Sequence, residues 1–249
     1  MKKRSLYNRV YDHSFSLLIS FSFYSLFLAI LLSCEEEDAL KLAEQLSATS
    51  SLSDKSENTY AVGYQQVSSN NQDAFVEKKD KEGNTLWKVT HASSPADERA
   101  VLITLDEEQN PWVVFTVDGG SYDAGYITKK SVEAGAFENV YQNSYGQGGG
   151  PKVAIIARLN PETGRIVKAS FLTARLNSGK TNSFTVEKLG VSQGKVTMEA
   201  KTAAWPPAAG KKYVQMPDIT DEDRVNNAFL LRLQMDTALS EILSSELRR

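Results

Sequence analysis

Asp73-Ala74-Phe75-Val76-Glu77-Lys78-Lys79-Asp80-Lys81-Glu82-Gly83-Asn84-Thr85-Leu86-Trp87 is the stretch that decides how this chain folds. A short apolar run leads into a turn rich in Asp, Gly and Asn, and a second run leaves it. That is the pattern of two strands joined by a hairpin. The pattern returns at Ala154-Ile155-Ile156 through Arg158 to Asn160-Pro161 and Gly164, followed by Ile166-Val167, and again from Ala228-Phe229-Leu230 through Arg232. Recurrence at a long spacing points to stacked supersecondary units that share a core. The spacing is loose, 80 residues from Ala74 to Ala154 and 74 from Ala154 to Ala228, which leaves room for long insertions.

Working outward, the apolar residues from Thr59 onward come in runs of about five to seven bounded by Gly, Pro, Asn, Asp and Ser, which argues strand rather than helix. Strands are expected at Tyr60–Gln65, Ala74–Lys79, Leu86–His91, Val101–Leu105, Trp112–Val117, Ala154–Leu159, Ile166–Leu172, Phe184–Leu189, Val196–Lys201, Ala228–Gln234 and Leu239–Leu243. The links Asp80–Asn84, Asp106–Asn110 and Asn160–Gly164 each offer an Asx side chain that can close the backbone, and two of them supply a glycine for positive φ. A rival reading applies to the last unit. Thr220-Asp221-Glu222-Asp223 has the form of a helix cap, and Val225, Phe229 and Leu233 recur at helical spacing, so a C-terminal helix from about Asp223 competes with the strands.

Asp73-Ala74-Phe75-Val76, Lys78, Asp80, Gly83 and Leu86-Trp87, followed by Val101-Leu102-Ile103-Thr104-Leu105-Asp106 and Asn110-Pro111-Trp112-Val113-Val114, resemble the bacterial beta-propeller repeat. In that family an Asp-Ala-Phe-Val strand, an Asp/Gly hairpin ending in Leu-Trp, and a second hairpin make one blade. The match covers Tyr60 to Val117 well, Val153 to Lys201 less well, and fades after Ala228. Closed propellers have about four to eight blades of four strands, whereas eleven strands make fewer than three. The expected fold class is therefore all-β: antiparallel four-stranded repeat units in an incomplete propeller-like array or an open twisted meander. A homo-oligomer that completes the ring is left open.

The first residues are of a different kind. Lys2, Lys3, Arg4 and Arg9 precede a charge-free run from Phe15 to Ser33, the form of an export signal that is excluded from the fold. Its end, Leu31-Leu32-Ser33-Cys34, resembles the lipobox of bacterial lipoproteins, and Cys34 is the one cysteine in the chain. The resemblance implies a diacylglycerol on the Cys34 thiol and cleavage before it. Each buried methylene then adds about 0.8 kcal/mol of membrane affinity. An uncleaved membrane span over the same run is the rival. Glu35-Glu36-Glu37-Asp38 resembles the surface-export tag of some outer-membrane lipoproteins, and residues 47–58 are Ser/Thr-rich with few large apolar groups. The expected organisation is a signal peptide over residues 1–33, an acidic and Ser-rich tether over 34–58, and a β-repeat domain over 59–249. The expected location is the cell envelope, on the outer membrane or cell surface rather than the inner membrane.

Charge and composition narrow the chemistry. The 249 residues are 41% hydrophobic, enough for one sizeable core. The leader carries four cations against Asp12, so its removal takes the formal charge from −3 to −6, which argues against nucleic acid as a partner. No metal site of Cys and His can be assembled, because past Cys34 the chain holds one histidine, His91. No cofactor motif is legible: Gly146 to Lys152 lacks the Gly-Lys-Ser/Thr ending of a phosphate loop. No catalytic set stands out, since a nucleophile triad would need His91 at a strand end. Lys78, Arg158 and Arg232 fall at one expected position of the three units, either as an anion cluster or as long stems lying over the sheet.

The most suggestive stretch is Asp118 to Gly150, where Tyr122, Tyr126, Tyr141 and Tyr145 stand among Gly, Ser, Asn and Gln. Rigid aromatic area beside adaptable hydrogen bonding suits a contact surface. With Trp205 of a second insertion, these form the expected binding loop; the alternative is that both insertions pack over a sheet edge. The reading at this level is a lipid-anchored, non-enzymatic binding or scaffold domain whose partner is an envelope protein or glycan. The alternative is an envelope polysaccharide hydrolase or lyase using loop carboxylates such as Asp118, Asp123 and Glu133.

Overall fold

The computed structural model describes residues 46–91, 97–118, 131–148 and 152–248, all within one compact unit, Gln45–Arg249. The signal peptide with Cys34, the acidic stretch Glu35-Glu36-Glu37-Asp38, and the insertion residues Tyr122, Asp123 and Tyr126 lie outside the described residues.

The fold is all-β. Sheet 1 runs β1 (Ser51–Ser53), β2 (Thr59–Ser68), β3 (Asn71–Lys79) and β4 (Thr85–His91); sheet 2 runs β5 (Glu98–Leu105), β6 (Pro111–Val117), β7 (Val153–Leu159) and β8 (Ile166–Leu172). After the short pair β9 (Ala174–Arg175) and β10 (Thr181–Asn182), sheet 3 runs β11 (Thr185–Ser192), β12 (Lys195–Thr202), β13 (Phe229–Asp236) and β14 (Ile242–Leu247). Each four-stranded sheet is an antiparallel meander in chain order, and none closes into a barrel.

Sheet 2 is the middle layer. One of its faces, through Ile103, Val113, Phe115, Ile155 and Phe171, shares a core with Tyr60, Val62, Ala74 and Val76 of sheet 1. The other, through Trp112, Val114, Ala154, Ile156 and Leu172, shares a core with Met198, Phe229, Leu231, Leu233 and Met235 of sheet 3. This explains a difference in the sequence. Strands β6 and β7 are nearly continuous apolar runs because both faces are buried, whereas β13, Leu230 apart, alternates because one of its faces is turned away from the core. The outward face of sheet 3 is ion-paired: Lys188 to Glu199 at 2.9 Å, Lys201 to Glu187 at 2.7 Å, and Arg248 to Glu199. On the outward face of sheet 1, Phe75 lies flat over Gly63, and the Lys88 ammonium sits 4.2 Å from the Phe75 ring centre. A polar outer face at each end is what a short open stack needs for solubility.

Two expectations change. The C-terminal helix does not form: Thr220 and Asp223 do make a capping box, but it launches a three-residue 3-10 turn, Asp221–Asp223, and the chain then enters β13. The period-two alternation of Phe229, Leu231, Leu233 and Met235 puts all four on the buried face, which the helical spacing of Val225, Phe229 and Leu233 could not do. Residues 47–58 are also not a free tether. Ser51–Ser53 form β1, and the residues before them bind all three sheets through the backbone: Ser47 exchanges two hydrogen bonds of 3.0 Å with Leu189, Ile103 N–H donates to Thr49 O, and Val62 N–H to Ser50 O. Composition missed this because the segment is held by main-chain bonds, with Leu52 as its partly buried apolar contact.

The insertions lie along sheet edges. In the 131–148 segment, Glu133 N–H donates to Ile166 O at 2.8 Å, while Ala169 and Phe171 of β8 donate to Ala136 and Gln142, both at 2.9 Å. The 203–228 connection does the same for β14, where Gly210 and Ile242 exchange bonds of 2.8 and 2.9 Å. Both therefore satisfy strand edges that would otherwise invite pairing with another chain.

Candidate functional site

One end of the stack carries six short hairpins, and five share a chemical design. Asp54 Oδ1 accepts from the Ser56 and Asn58 amides, Asp80 Oδ1 from Asn84, Asp106 Oδ1 from Glu108 and Asn110, Asn160 Oδ1 from Glu162 and Thr163, and Asp236 Oδ1 from Ser240 and Glu241. The fourth residue of four of these turns has positive φ: Glu57, Gly83, Gln109 and Leu239. The sequence reading found three of the five; the Asp-x-x-x-Asn/Ser spacing also marks Asp54 and Asp236. The sixth hairpin, between β11 and β12, is the two-residue Gln193-Gly194 turn with φ of 50° and 72°, a tighter closure.

These turns fix the true repeat. Lys78 and Arg158 stand two residues before Asp80 and Asn160 and beside a bulge, and the residue in that place in sheet 3 is Gln234, two before Asp236. Arg232 is therefore two residues out of step with them, and the three cations do not gather. Lys78 points toward sheet 2, while Arg232 is paired in register with Glu199 on the outward face of sheet 3.

Two inter-sheet slots can then be compared residue by residue. Between sheets 1 and 2, Lys78 is 7% exposed. Its ammonium reaches Pro161 O at 3.2 Å, Asp54 at 3.9 Å and the Tyr60 ring centre at 5.0 Å. Burial raises the Asp54 carboxyl, but hydrogen bonds from Asn58 and Ser56, together with Lys78, bring it below the usual carboxylate range. Trp87 Nε1–H donates to the same Pro161 oxygen at 3.0 Å. Gly164 is what allows this: at φ 69°, a Cβ there would stand 2.5 Å from the Trp87 ring. The slot is full.

Between sheets 2 and 3 the counterparts are Asp106 for Asp54, Trp112 for Tyr60, Arg158 for Lys78, and Thr237 for Pro161, by strand register and turn position. Lys168 stands where Trp87 stands, with its ammonium drawn to Glu138 O at 2.6 Å. The second slot holds a cavity of about 180 Å³ beside Arg158, lined by Asp106, Glu107, Glu108, Ser192 and Thr237, with Trp112, Val191 and Gly194 beside them. The short Gln193-Gly194 turn also reaches in less far than a five-residue hairpin would. It is anchored by the Gln193 amide, which donates to Glu107 Oε1 at 3.0 Å.

Asp106 is fully engaged: besides its turn bonds, Oδ2 accepts from Trp112 Nε1–H at 3.0 Å and from Asn110 Nδ2. Glu107 and Glu108 are each engaged through one oxygen, to Gln193 and Asn110. Arg158 forms no hydrogen bond or ion pair with the described residues, and it is not among those with further contacts. It is a half-buried cation left unpaired in a cavity.

Of the residues expected to form a binding loop, Tyr141, Tyr145 and Trp205 are described, and they fall elsewhere. Tyr141 and Tyr145 are buried, at 5% and 0% exposure, and belong to the two cores rather than to a contact surface. Burial pushes the Tyr141 phenol well up. Trp205 is half-buried; its backbone exchanges bonds of 3.0 and 3.1 Å with Arg175, its indole lies 5.4 Å from Phe229, and the Arg224 guanidinium covers it. Of the loop carboxylates, Asp118 pairs with Lys152 at 3.7 Å and Glu133 with Arg165 at 3.0 Å. His91 is 3% exposed against Phe115, with neither ring nitrogen hydrogen-bonded, and burial lowers its pKa to about 3. Among the described residues no cluster of His, Cys, Asp and Glu is arranged for a metal ion, and no helix is long and apolar enough to cross a membrane.

No protein-family model matches the chain, and no curated protein matches it. The fold and site define its class: an all-β protein of three stacked four-stranded meanders, with an open slot at the hairpin end of the second interface.

Proposed function

We propose that the chain is a lipid-anchored cell-envelope lipoprotein whose β-domain acts as a non-enzymatic binding or scaffold module. The observation that carries the anchor is the cationic leader and apolar run ending at Leu31-Leu32-Ser33-Cys34. The binding reading is supported by the open slot, where an unpaired arginine faces a cavity while the matching lysine is neutralised. The burial of His91 favours a packing role for it over proton transfer, since a general base must reach substrate. The repeat resemblance fits three four-stranded sheets in an open stack, and the charged outward face of sheet 3 favours a stack that ends there over a ring completed by copies of the chain. The partner on this reading is an envelope glycan or protein.

The anchor is tested by expressing the full chain with labelled palmitate in a bacterial host. Label should enter the wild type, and Cys34→Ala should lose both the label and the shift to the mature size. Equal labelling of the variant would refute the anchor. Light scattering on the detergent-solubilised chain tests the assembly, where a defined ring of copies would overturn the open stack.

A further inference from the structure

We propose that the slot between sheets 2 and 3 is a binding site for a neutral, hydroxyl-rich sugar ring. The inference takes its setting from the binding reading above, but it rests on geometry that does not depend on the membrane anchor.

The comparison of slots supplies the first step. The same template of turn Asp, strand aromatic and strand cation is built twice, and only in the first copy is the space filled by protein, through Trp87 and the Lys78 bonds. In the second copy the β11–β12 hairpin of sheet 3 is short and Arg158 reaches no partner among the described residues, so a space stays open while the cation is retained. A partly buried cation without a partner costs stability, and a ligand acceptor is what would offset that cost.

The polar inventory selects the ligand. Arg158 offers a fork of N–H donors, and Ser192 and Thr237 offer hydroxyls. Glu107 and Glu108 each have one carboxylate oxygen outside the contacts described above, which can only accept. Donors and acceptors facing one small space fit a molecule whose every polar group does both, which is the nature of a hydroxyl. With three carboxylates around one arginine, the lining is net negative. A phosphate or carboxylate ligand would gain from Arg158 and lose against Glu107 and Glu108, whereas a neutral polyol bears no such penalty. The small volume limits the occupant to about one ring, with a glycan chain continuing into solvent.

The test uses the full chain in detergent micelles, following the Trp112 indole N–H resonance while methyl hexopyranosides of glucose, galactose, mannose and N-acetylglucosamine are added. At least one should shift the resonance saturably. Arg158→Gln should weaken that binding about tenfold or more, the effect of one hydrogen bond to a charged group. Thr237→Trp, which places an indole at a residue lining the cavity, should abolish it. Cys34→Ala should leave it unchanged, so failure of the anchor and failure of this site are read separately. Circular dichroism and thermal unfolding show that the variants fold; if Thr237→Trp does not, Arg158→Gln carries the result. The proposal is overturned if no hexoside moves the resonance, if inorganic phosphate or glucuronate moves it as strongly, or if Arg158→Gln binds like the wild type.

Discussion

Where sheet 1 meets sheet 2, a lysine, two aromatic rings and a proline carbonyl close on one another; where sheet 2 meets sheet 3, the residues at the same places leave a cavity of about 180 Å³. The backbone template is shared down to the bulge that follows Lys78 and Arg158. The difference lies in side-chain choices and one hairpin length. Trp87 becomes Lys168, Gly164 becomes Ser240 at the matching turn position, and the five-residue hairpin becomes Gln193-Gly194. A repeat fold can thus hold a packing joint and an open site at equivalent positions, because hairpin closure is set by the Asx turns while slot filling depends on a few large residues.

The largest effects should fall on the closed interface and on the wall the two slots share. His91 lies in the sheet 1–sheet 2 interface, and its pKa is about 3 folded against 6.5 unfolded, so the unfolded chain binds the extra proton between those values. Stability is therefore full above pH 6.5 and falls on acidification toward pH 3, by up to about 1.4 kcal/mol per pH unit. Denaturant unfolding at several pH values should show this slope, and His91→Phe should flatten it; a slope unchanged in the variant would remove His91 as its origin. Trp112→Ala should cost about 3–5 kcal/mol, because the fully buried indole is lost and Asp106 loses a donor. Gly164→Ala should cost about 1–3 kcal/mol, since the new methyl meets Trp87 and the residue must hold positive φ. The matching Ser240→Ala should cost about 1 kcal/mol, from its hydroxyl bond to Asp236.

The frame was legible in the sequence because its determinants are local. Ten of the eleven expected strands overlie observed strands, and the Asp80, Asp106 and Asn160 turns close as their side chains require. Missed were one strand whose cause is not local and one strand start delayed by a further Asx turn. Strand β1 is held by backbone bonds to a sheet edge, and β14 begins three residues later than expected because Asp236 and Ser240 close a turn first. The tyrosine-rich insertion looked like a contact surface by composition, yet Tyr141 and Tyr145 supply buried apolar area beneath a covered edge; removing residues 119–148 would uncover β8 and open both cores. The open slot was half legible. Arg158 stood out at its repeat position, but its lack of a partner goes with Asp106 turning its second oxygen to the Trp112 indole and with the short β11–β12 hairpin, which only the fold reveals.

The smallest expected effect is also the sharpest test of the comparison. Lys78→Met and Arg158→Met remove equivalent cations and keep most of the apolar stem, so packing changes alike in both. Lys78→Met leaves Pro161 O with the Trp87 donor alone and strips Asp54 of its cation, and should cost about 1–2 kcal/mol. Arg158→Met breaks no hydrogen bond or ion pair with the described residues, so its cost should lie within about 0.5 kcal/mol of zero. Chemical unfolding of both variants in ligand-free buffer decides the matter. A cost at Arg158 as large as that at Lys78 would mean that its guanidinium is paired in solution, and the second slot would then be a closed joint like the first.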